Sequence, residues 1–320
     1  MQHLLTLFDL TDEEVERLLA EAGRLKTAHA KGRRDPYMAG KLLGLVFEKP
    51  SLRTRVSFQS AMAQMSGSSI FLSSAEAGLG TRESLADYAR TLSQYVDAIV
   101  LRTYAHSTVE TFASLATCPV INGLSDYAHP CQALADLFTM REVFGELEGR
   151  HLVFVGDGNN VSRSLALCCA HLSVRFTLTA PPDYAFDQPF LSRYNQQFSR
   201  NGLAHTPTPA AAVRDADVIY TDVWTSMGQE AERERRRRDF ARFQVNAELL
   251  AKAPKHAVVM HCLPAHREEE VTSEVLDGPR SIVFQQAGNR LHLQKALLCW
   301  LINGSLPSPS RQRKRVRGRG

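Results

Sequence analysis

"LLGLVFEKPSLRTRVSF", residues 42–58, carries the reading of the fold. Its first six residues are apolar or glycine, an unbroken run that fits a strand buried on both faces. Pro50 and Ser51 then punctuate the chain, and a helix-like stretch follows. A buried strand feeding a helix is half of a βαβ unit, and such units build parallel sheets. The junction is also chemically loaded. Ser51, Arg53, Thr54 and Arg55 bring two hydroxyls and two guanidinium groups into five residues. A helix N-terminus offers free N–H groups and the positive end of the dipole. Arginine adds a fork that matches phosphate oxygens. The stretch reads either as a phosphate cradle or as a charged helix start facing water.

The alternation continues on both sides of this stretch. Thr11 with Glu14 is a capping-box signal for a helix from about 12 to 30, with Val15, Leu18, Leu19 and Ala22 at helical spacing. After the helix of about 52–65 come the strand "SIFLS", a helix near 83–95, the strand "DAIVLR", a helix near 107–116, the strand "PVIN" and a helix near 131–144. A second round opens at "GRHLVFVGDG". It runs through a helix near 161–172, the strand "RFTLTA", a helix near 187–200 and the strand "DVIYTDV". Charged helical stretches between 229 and 252 follow, then strands "AVVMHCL" and "SIVFQ" and a last helix from about 287 to 303. Two tandem α/β domains are predicted, each a parallel sheet flanked by helices. The boundary falls in "FGELEGR", giving domains 1–147 and 148–303 and a tail 304–320.

With 320 residues, 44% of them hydrophobic, the chain can bury two cores. No apolar run reaches membrane-spanning length, and the N-terminal stretch lacks a basic region and a cleavage site. The expectation is a cytoplasmic protein with no membrane partner. The net charge is +4, but the tail "RQRKRVRGRG" holds six basic residues, which leaves −2 for the body. Nucleic-acid binding would therefore rest on the tail alone, and the tail reads as a disordered, solvated end. The six cysteines form no C-x-x-C pair, as expected of a reducing compartment.

Further polar stretches fall where strands end. Arg102 closes "AIVLR". His129 and Pro130 precede a helix with Gln132 in its first turn; histidine can donate to a polarised carbonyl, and a glutamine amide can read a small amide. "GDGNNV", 156–161, has G-x-G but places Val161 where a dinucleotide loop has its third glycine. Asn159 and Asn160 stand instead at a helix start, placed for a polar substrate. In "DVWTSMG", 222–228, Asp222 can neutralise an ammonium, and Ser226 with Met227 can hold a small zwitterion. In "HCLPAHR", 261–267, Cys262 is open to three readings: nucleophile, metal ligand with His261 and His266, or thiol packed against a ligand. Arg290 lies near the first turn of the last helix. The arginine run in "EAERERRRRDFARF" reads as mostly a solvated helix face and not as a site.

Taken in order, "SLRTR", "HPCQ", "GDGNN", "DVWTSMG", "HCLPAHR" and "NRLH" resemble the aspartate/ornithine carbamoyltransferase family, over about residues 3–303. "DVWTSMG" with "HCLP" points toward its ornithine branch. The resemblance implies transfer of the carbamoyl group of carbamoyl phosphate to the δ-amine of L-ornithine, with no cofactor, no metal and no covalent intermediate. Ser51, Leu52, Arg53 and Thr54 would hold the phosphate, and Arg102 would bridge phosphate and carbonyl. His129 would donate to that carbonyl, Gln132 and the carbonyls of Cys262 and Leu263 would meet the carbamoyl amide, and Arg290 would close over the phosphate. Arg102, His129 and Cys262 are the catalytic set so implied. Asn160, Asp222, Ser226 and Met227 would bind ornithine. The last helix would pack back on the first domain, and the basic unit would be a homotrimer. Three positions depart from the usual pattern: Leu52 where threonine is common, Gly78 where some members place a cross-subunit glutamine, and Gly288 where an acidic residue is frequent.

Overall fold

A computed structural model describes residues 2–79, 83–198, 202–225, 230–304 and 306. The first half contains α1 (Asp12–Ala30), β1 (Leu42–Phe47), α2 (Leu52–Gln64), β2 (Ser68–Leu72), α3 (Ser74–Ala77) and α4 (Leu85–Leu92). It continues with β3 (Ala98–Arg102), α5 (His106–Leu115), β4 (Val120–Leu124) and α6 (Pro130–Phe144). The second half contains β5 (His151–Val155), α7 (Asn160–His171), β6 (Arg175–Thr179), α8 (Gln188–Gln197), β7 (Leu203–Thr206), α9 (Pro209–Ala212) and β8 (Val218–Thr221). It ends with α10 (Arg233–Phe240), α11 (Ala247–Ala251), β9 (Val258–His261), α12 (Ser273–Leu276) and α13 (Val283–Asn303).

Both sheets are wholly parallel. Their orders are β2-β1-β3-β4 and β7-β6-β5-β8-β9. In each, the chain starts in the middle, builds to one side and then crosses to the other. The reversal lies between β1 and β3 in the first sheet and between β5 and β8 in the second. Connections leave such neighbouring strands in opposite directions, which opens a crevice at their carboxyl ends. The central strands are buried along nearly their whole length, as helices on both faces require.

Local chemistry starts the helices where the sequence expects them. Thr11 Oγ1 accepts from the Glu14 N–H at 3.2 Å while the Thr11 N–H donates to Glu14 at 2.9 Å. Asn159 Oδ1 caps α7 by accepting from the Val161 and Ser162 N–H groups. Gly158 is required by a close approach. A Cβ there would lie 2.9 Å from the Tyr184 carbonyl oxygen, which already accepts the Gly158 N–H at 2.8 Å. The "GDG" turn therefore packs against its own half, and its N–H is not free for a pyrophosphate.

Two strand assignments differ from the sequence reading. "SIVFQ" is not a strand: Ser281 makes one isolated bridge to Val259, and α13 begins at Val283. Gln286, Asn289, Arg290 and Leu293 are buried at helical spacing, and that face outweighs the β-propensity of Ile282 and Val283. Leu203–Thr206, unassigned in the sequence, adds the edge strand β7, whose polar His205 and Thr206 gave no alternation signal. The tail beyond 306 lies outside the described residues.

The two halves are joined by α6 against α7 and by α13, which leaves the second sheet and packs on α1, α2 and α6 of the first half. His171 ties α7 to the N-terminal segment through the Leu7 carbonyl at 2.8 Å and Asp12 at 2.7 Å. Under α13 the charges are one-sided. His292 faces Lys295 of its own helix and Lys26 and His29 of α1, with Glu142 of α6 as the acidic neighbour. Burial, then these cations, push its imidazole down to about 4. Its folded pKa lies below the unfolded value, so the unfolded chain binds the extra proton. Stability is full above about 6.5 and falls as the pH drops toward 4, by at most about 3 kcal/mol from this group. Urea denaturation from pH 7 to 4.5 should show a shallower loss of stability in His292→Gln than in the parent. Equal slopes would remove His292 as the cause.

Candidate active site

The carboxyl ends of the two sheets face each other across a cavity of about 760 Å³. Both topological reversals open into it, so each stretch flagged at a strand end arrives there for one reason.

On the first wall, α2 starts directly beyond β1. Ser51 is its N-cap, and its Oγ accepts the Thr54 N–H at 3.3 Å. Ser51, Arg53 and Thr54 line the cavity. The Leu52 side chain points away and is 74% exposed, so only its backbone N–H can serve the helix start. Arg102 ends β3 opposite Phe47 and is buried; burial first, then repulsion from Arg290 and Arg53, brings its guanidinium down to about 10. Arg290, carried over from α13, donates through Nη2 to Thr54 Oγ1 at 2.9 Å and through Nη1 to Gln132 Oε1. Burial and the neighbouring Arg53 lower its pKa as well. Nε of Arg102 and of Arg290 and Nδ1 of His129 are buried without a protein hydrogen-bond partner.

His129 occupies the N-cap position of α6, and its N–H donates to Ser164 Oγ of α7 at 2.8 Å, fixing it at the seam between halves. Burial, followed by Arg290, Arg102 and Arg53, pushes its pKa well below the ordinary histidine value. It is a neutral imidazole at physiological pH, able to donate one hydrogen bond and a poor base.

The second wall is of mixed charge, with Arg163, Arg235 and Arg236 beside Asp157, Asp183, Asp222 and Glu232. Asp222 follows β8 and Asp157 follows β5, and both line the cavity. Asn159 Nδ2 donates to Asp222 Oδ2 at 3.1 Å, and the Cys262 thiol donates to Asp222 Oδ1 at 3.1 Å. Burial and Asp222 raise the Cys262 pKa far above the usual thiol range, so it sits as a neutral donor and not as an activated nucleophile. Asn160 spans the seam, with Nδ2 on the Ser125 carbonyl at 2.7 Å. Leu263 lines the cavity in a left-handed conformation, φ 56°, that costs a non-glycine residue about 1–2 kcal/mol. The turn is held by His261, whose Nδ1 accepts the Leu263 N–H at 2.8 Å and whose Nε2 bonds Glu270 at 3.0 Å. Asp222, His261 and Cys262 bring ligand-type atoms within 4.8 Å of one another, but both His261 ring nitrogens are engaged in that turn. His266 also lines the cavity, separately from that trio.

Of the residues singled out in the sequence, Ser51, Arg53, Thr54, Arg102, His129, Gln132, Asn160, Asp222, Cys262, Leu263 and Arg290 meet at this one cavity. Ser226 and Met227 lie outside the described residues. Gly288 faces open space on α13 and does not line the cavity. Several lining residues carried no flag, Lys49, Tyr104 and Asp157 among them, and one expectation needs correcting. The arginine run of α10 is not wholly solvated. Arg236 is 6% exposed, and its Nη1 donates to Asp157 at 2.6 Å and to the Trp224 carbonyl at 3.0 Å. The signal was the i, i+4 spacing of Arg236 and Phe240, which puts Arg236 on the inner face; the density of charge hid it.

Known proteins with this arrangement are numerous. Residues 2–142 match the carbamoyl-P binding domain of the aspartate/ornithine carbamoyltransferases, and residues 148–301 match their Asp/Orn binding domain. The ornithine carbamoyltransferase of Bacillus subtilis is 51% identical over 297 residues, 92% of each chain. That of Pyrococcus horikoshii is 48% identical over 94% of this chain and 96% of its own. The solved ornithine carbamoyltransferase of Pyrococcus furiosus superposes with a TM-score of 0.92 at 47% identity, covering 95% of this chain and 98% of that one. With both halves of the chain matched and both sheets superposed, the chain belongs to the aspartate/ornithine carbamoyltransferase family.

Proposed function

We propose that the chain is an ornithine carbamoyltransferase, forming L-citrulline and phosphate from carbamoyl phosphate and L-ornithine. One observation carries the reading: a single cavity sets Arg53, Arg102, Arg290 and a neutral His129 against Asp222 across the seam. The first group suits a phosphate bearing a polarised carbonyl, and the second suits an amino acid with a free ammonium.

In this reading residues 1–147 bind carbamoyl phosphate. Ser51, Arg53, Thr54 and the Leu52 N–H hold the phosphate, with Arg102 between phosphate and carbonyl. Residues 148–303 bind ornithine through Asn160, Asp222 and the Ser226–Met227 loop. The δ-amine attacks the carbonyl carbon, the oxygen gains negative charge, and the C–O bond to phosphate breaks. Arg102, His129 and Thr54 are the donors for that oxygen, each worth on the order of 3 kcal/mol in such sites. Arg53 and Arg290 balance charge on the departing phosphate. Neither His129 nor Cys262 suits the amine's proton. His129 is pushed too low and Cys262 stays a thiol. The proton therefore leaves with the phosphate or to water, and no bond to Cys262 forms. The amine must arrive uncharged, so the rate rises with pH toward the ordinary amine pKa of about 10.

The same reading places the protein in the cytoplasm, in keeping with six unpaired cysteines and with the lack, among the described residues, of a helix long and apolar enough to cross a membrane. It also gives a homotrimer. Leu52 and Val56 of α2 and Ile70 of the edge strand β2 are exposed apolar side chains next to the cavity's first wall. Gly78 follows in the neighbouring loop. If a neighbour's residue reaches this site, it does so without the side chain that some family members place there.

Three outcomes test the proposal. Arg53→Ala should lower kcat/KM for carbamoyl phosphate by about two to three orders of magnitude in a citrulline assay; parental values would remove Arg53 from the cradle. Asp222→Ala should raise KM for ornithine by about tenfold or more while leaving KM for carbamoyl phosphate close to its starting value; unchanged ornithine saturation would exclude Asp222. Light scattering on the eluting peak should give three times the 35.6 kDa chain mass, and a monomer would sink the assembly.

A further inference from the structure

One fully buried carboxylate has no place among these substrate contacts. Asp136 lies one turn beyond Gln132 on α6 and is 0% exposed. It accepts from Gln132 Nε2 at 2.8 Å and Gln286 Nε2 at 2.8 Å on Oδ1, and from the Tyr220 hydroxyl at 2.9 Å on Oδ2. The three donors come from α6, α13 and β8. An ionised carboxylate accepts only, so it dictates which end of each amide faces it. Gln132 must turn Nε2 inward, which leaves Oε1 toward Arg290 and the cavity. Gln286 must do the same, which leaves its Oε1 to accept the His261 N–H at 3.0 Å, at the strand end just before Cys262 and Leu263. A buried hydrogen-bond path therefore runs from the His261 backbone through Gln286, Asp136, Gln132 and Arg290 to Thr54.

We propose that Asp136 is a positioning residue: its carboxylate fixes the amide of Gln132 to present Oε1 to the carbamoyl N–H₂ and, through Gln286, sets the Cys262–Leu263 turn against the same group. The proposal rests on the reading of Gln132 and that turn as carbamoyl contacts. In that reading the carbamoyl N–H₂ meets acceptors from both halves, and both are oriented from one buried point.

The same geometry makes the device sensitive to protonation. The charged and titratable groups facing Asp136 are Arg290 from α13, Tyr220 from β8, Cys168 and Cys169 from α7, and Cys262 beyond β9. Burial holds the three thiols neutral. Burial also brings the Asp136 carboxyl up to about 6, against the pull of its three hydrogen bonds and Arg290. Below that pH the acid acquires a proton, which Oδ2 can give to the Tyr220 hydroxyl once that hydroxyl turns to accept it, and Oδ1 faces the Gln132 and Gln286 amides as a neutral acceptor. The two amide bonds lose their charge assistance, and the Gln132 amide is held less tightly.

The test is citrulline formation between pH 5.5 and 8.5 by the parent, Asp136→Asn and Tyr220→Phe, with thermal unfolding of each. Asp136→Asn removes the charge: its one oxygen must serve both amides without charge assistance, and its N–H₂ must find an acceptor in a Tyr220 hydroxyl that has to turn. Its kcat/KM for carbamoyl phosphate should fall about ten- to a hundredfold, with a smaller change in KM for ornithine. Tyr220→Phe removes one donor from Asp136 and touches no substrate. It should retain most activity at pH 8 while its acid limb moves to higher pH, a shift that a merely structural tyrosine would not produce. A folded Asp136→Asn with parental kcat/KM overturns the proposal, and so does an unmoved acid limb in Tyr220→Phe. If Asp136→Asn does not fold, the Tyr220→Phe limb decides alone. A parent enzyme that forms no citrulline defeats the ornithine carbamoyltransferase reading itself and takes this inference with it.

Discussion

Three guanidinium groups share one wall, and among the described residues none is ion-paired to a carboxylate, Asp136 reaching Arg290 only through Gln132. Among the described residues, Arg53, Arg102 and Arg290 make no ion pair with Asp or Glu, and Arg102 and Arg290 are almost wholly buried. Unpaired buried charge costs several kcal/mol per ion, and like charges at short range add to it. The lowered pKa values of all three arginines express that cost. A fold keeps such a cluster when a ligand supplies the missing negative charge, and a dianionic phosphate is suited to three converging forks. The same field fixes the state of His129. A histidine surrounded by three cations cannot hold a second proton, so it can act there only as a neutral hydrogen-bond donor.

The wall exists because of topology. The two sheets share one logic, a chain that begins centrally and reverses once, and each reversal leaves a crevice at the carboxyl edge. Ser51–Thr54 and Arg102 occupy the first reversal, while Asp157–Asn160 and Asp222 occupy the second. Neither half is sufficient. Arg290 belongs by sequence to the second round but is delivered to the first wall by α13, which packs on α1, α2 and α6. His129 is fastened from the other side by Ser164, and Asn160 reaches back to Ser125. Contacts that cross the seam in both directions set the cation wall opposite Asp222.

Much of this was legible in the residues. Buried parallel strands appear as unbroken apolar runs, and the polar residues that break them mark the carboxyl ends, so the fold class and a core set of polar cavity residues followed from the same pattern. What escaped was of three kinds. Ile282 and Val283 carry β-propensity in isolation, but the face made by Gln286, Asn289 and Arg290 is polar and buried, and no hydrophobic pattern reveals a helix that buries its amides. Asp136 was hidden by the opposite effect. Placed among Ala133, Leu134, Leu137 and Phe138, it reads as one polar residue on an apolar helix, and only its partners on β8 and α13 give it meaning. Arg236 was masked by its neighbours, because a run of like charges hides the single member that turns inward.

The departures from the family pattern separate side-chain function from backbone function. Leu52 stands where a hydroxyl residue is common, yet its side chain is exposed while its N–H belongs to the first turn of α2, with Ser51 as the cap. At such a position the helix terminus supplies the donor, and a leucine supplies it as well as a threonine. The exposed side chain is then free to do something else, and with Val56 and Ile70 it makes an apolar surface beside the cavity. Gly288 supports the same distinction from the other end of the cradle. It sits on the outer face of α13, two residues before Arg290, and a side chain added there would meet open space. Its identity is a matter of the helix surface, whereas Arg290 is fixed by Gln132 and Thr54. The constraint on this chain is therefore on where N–H groups and guanidinium forks converge.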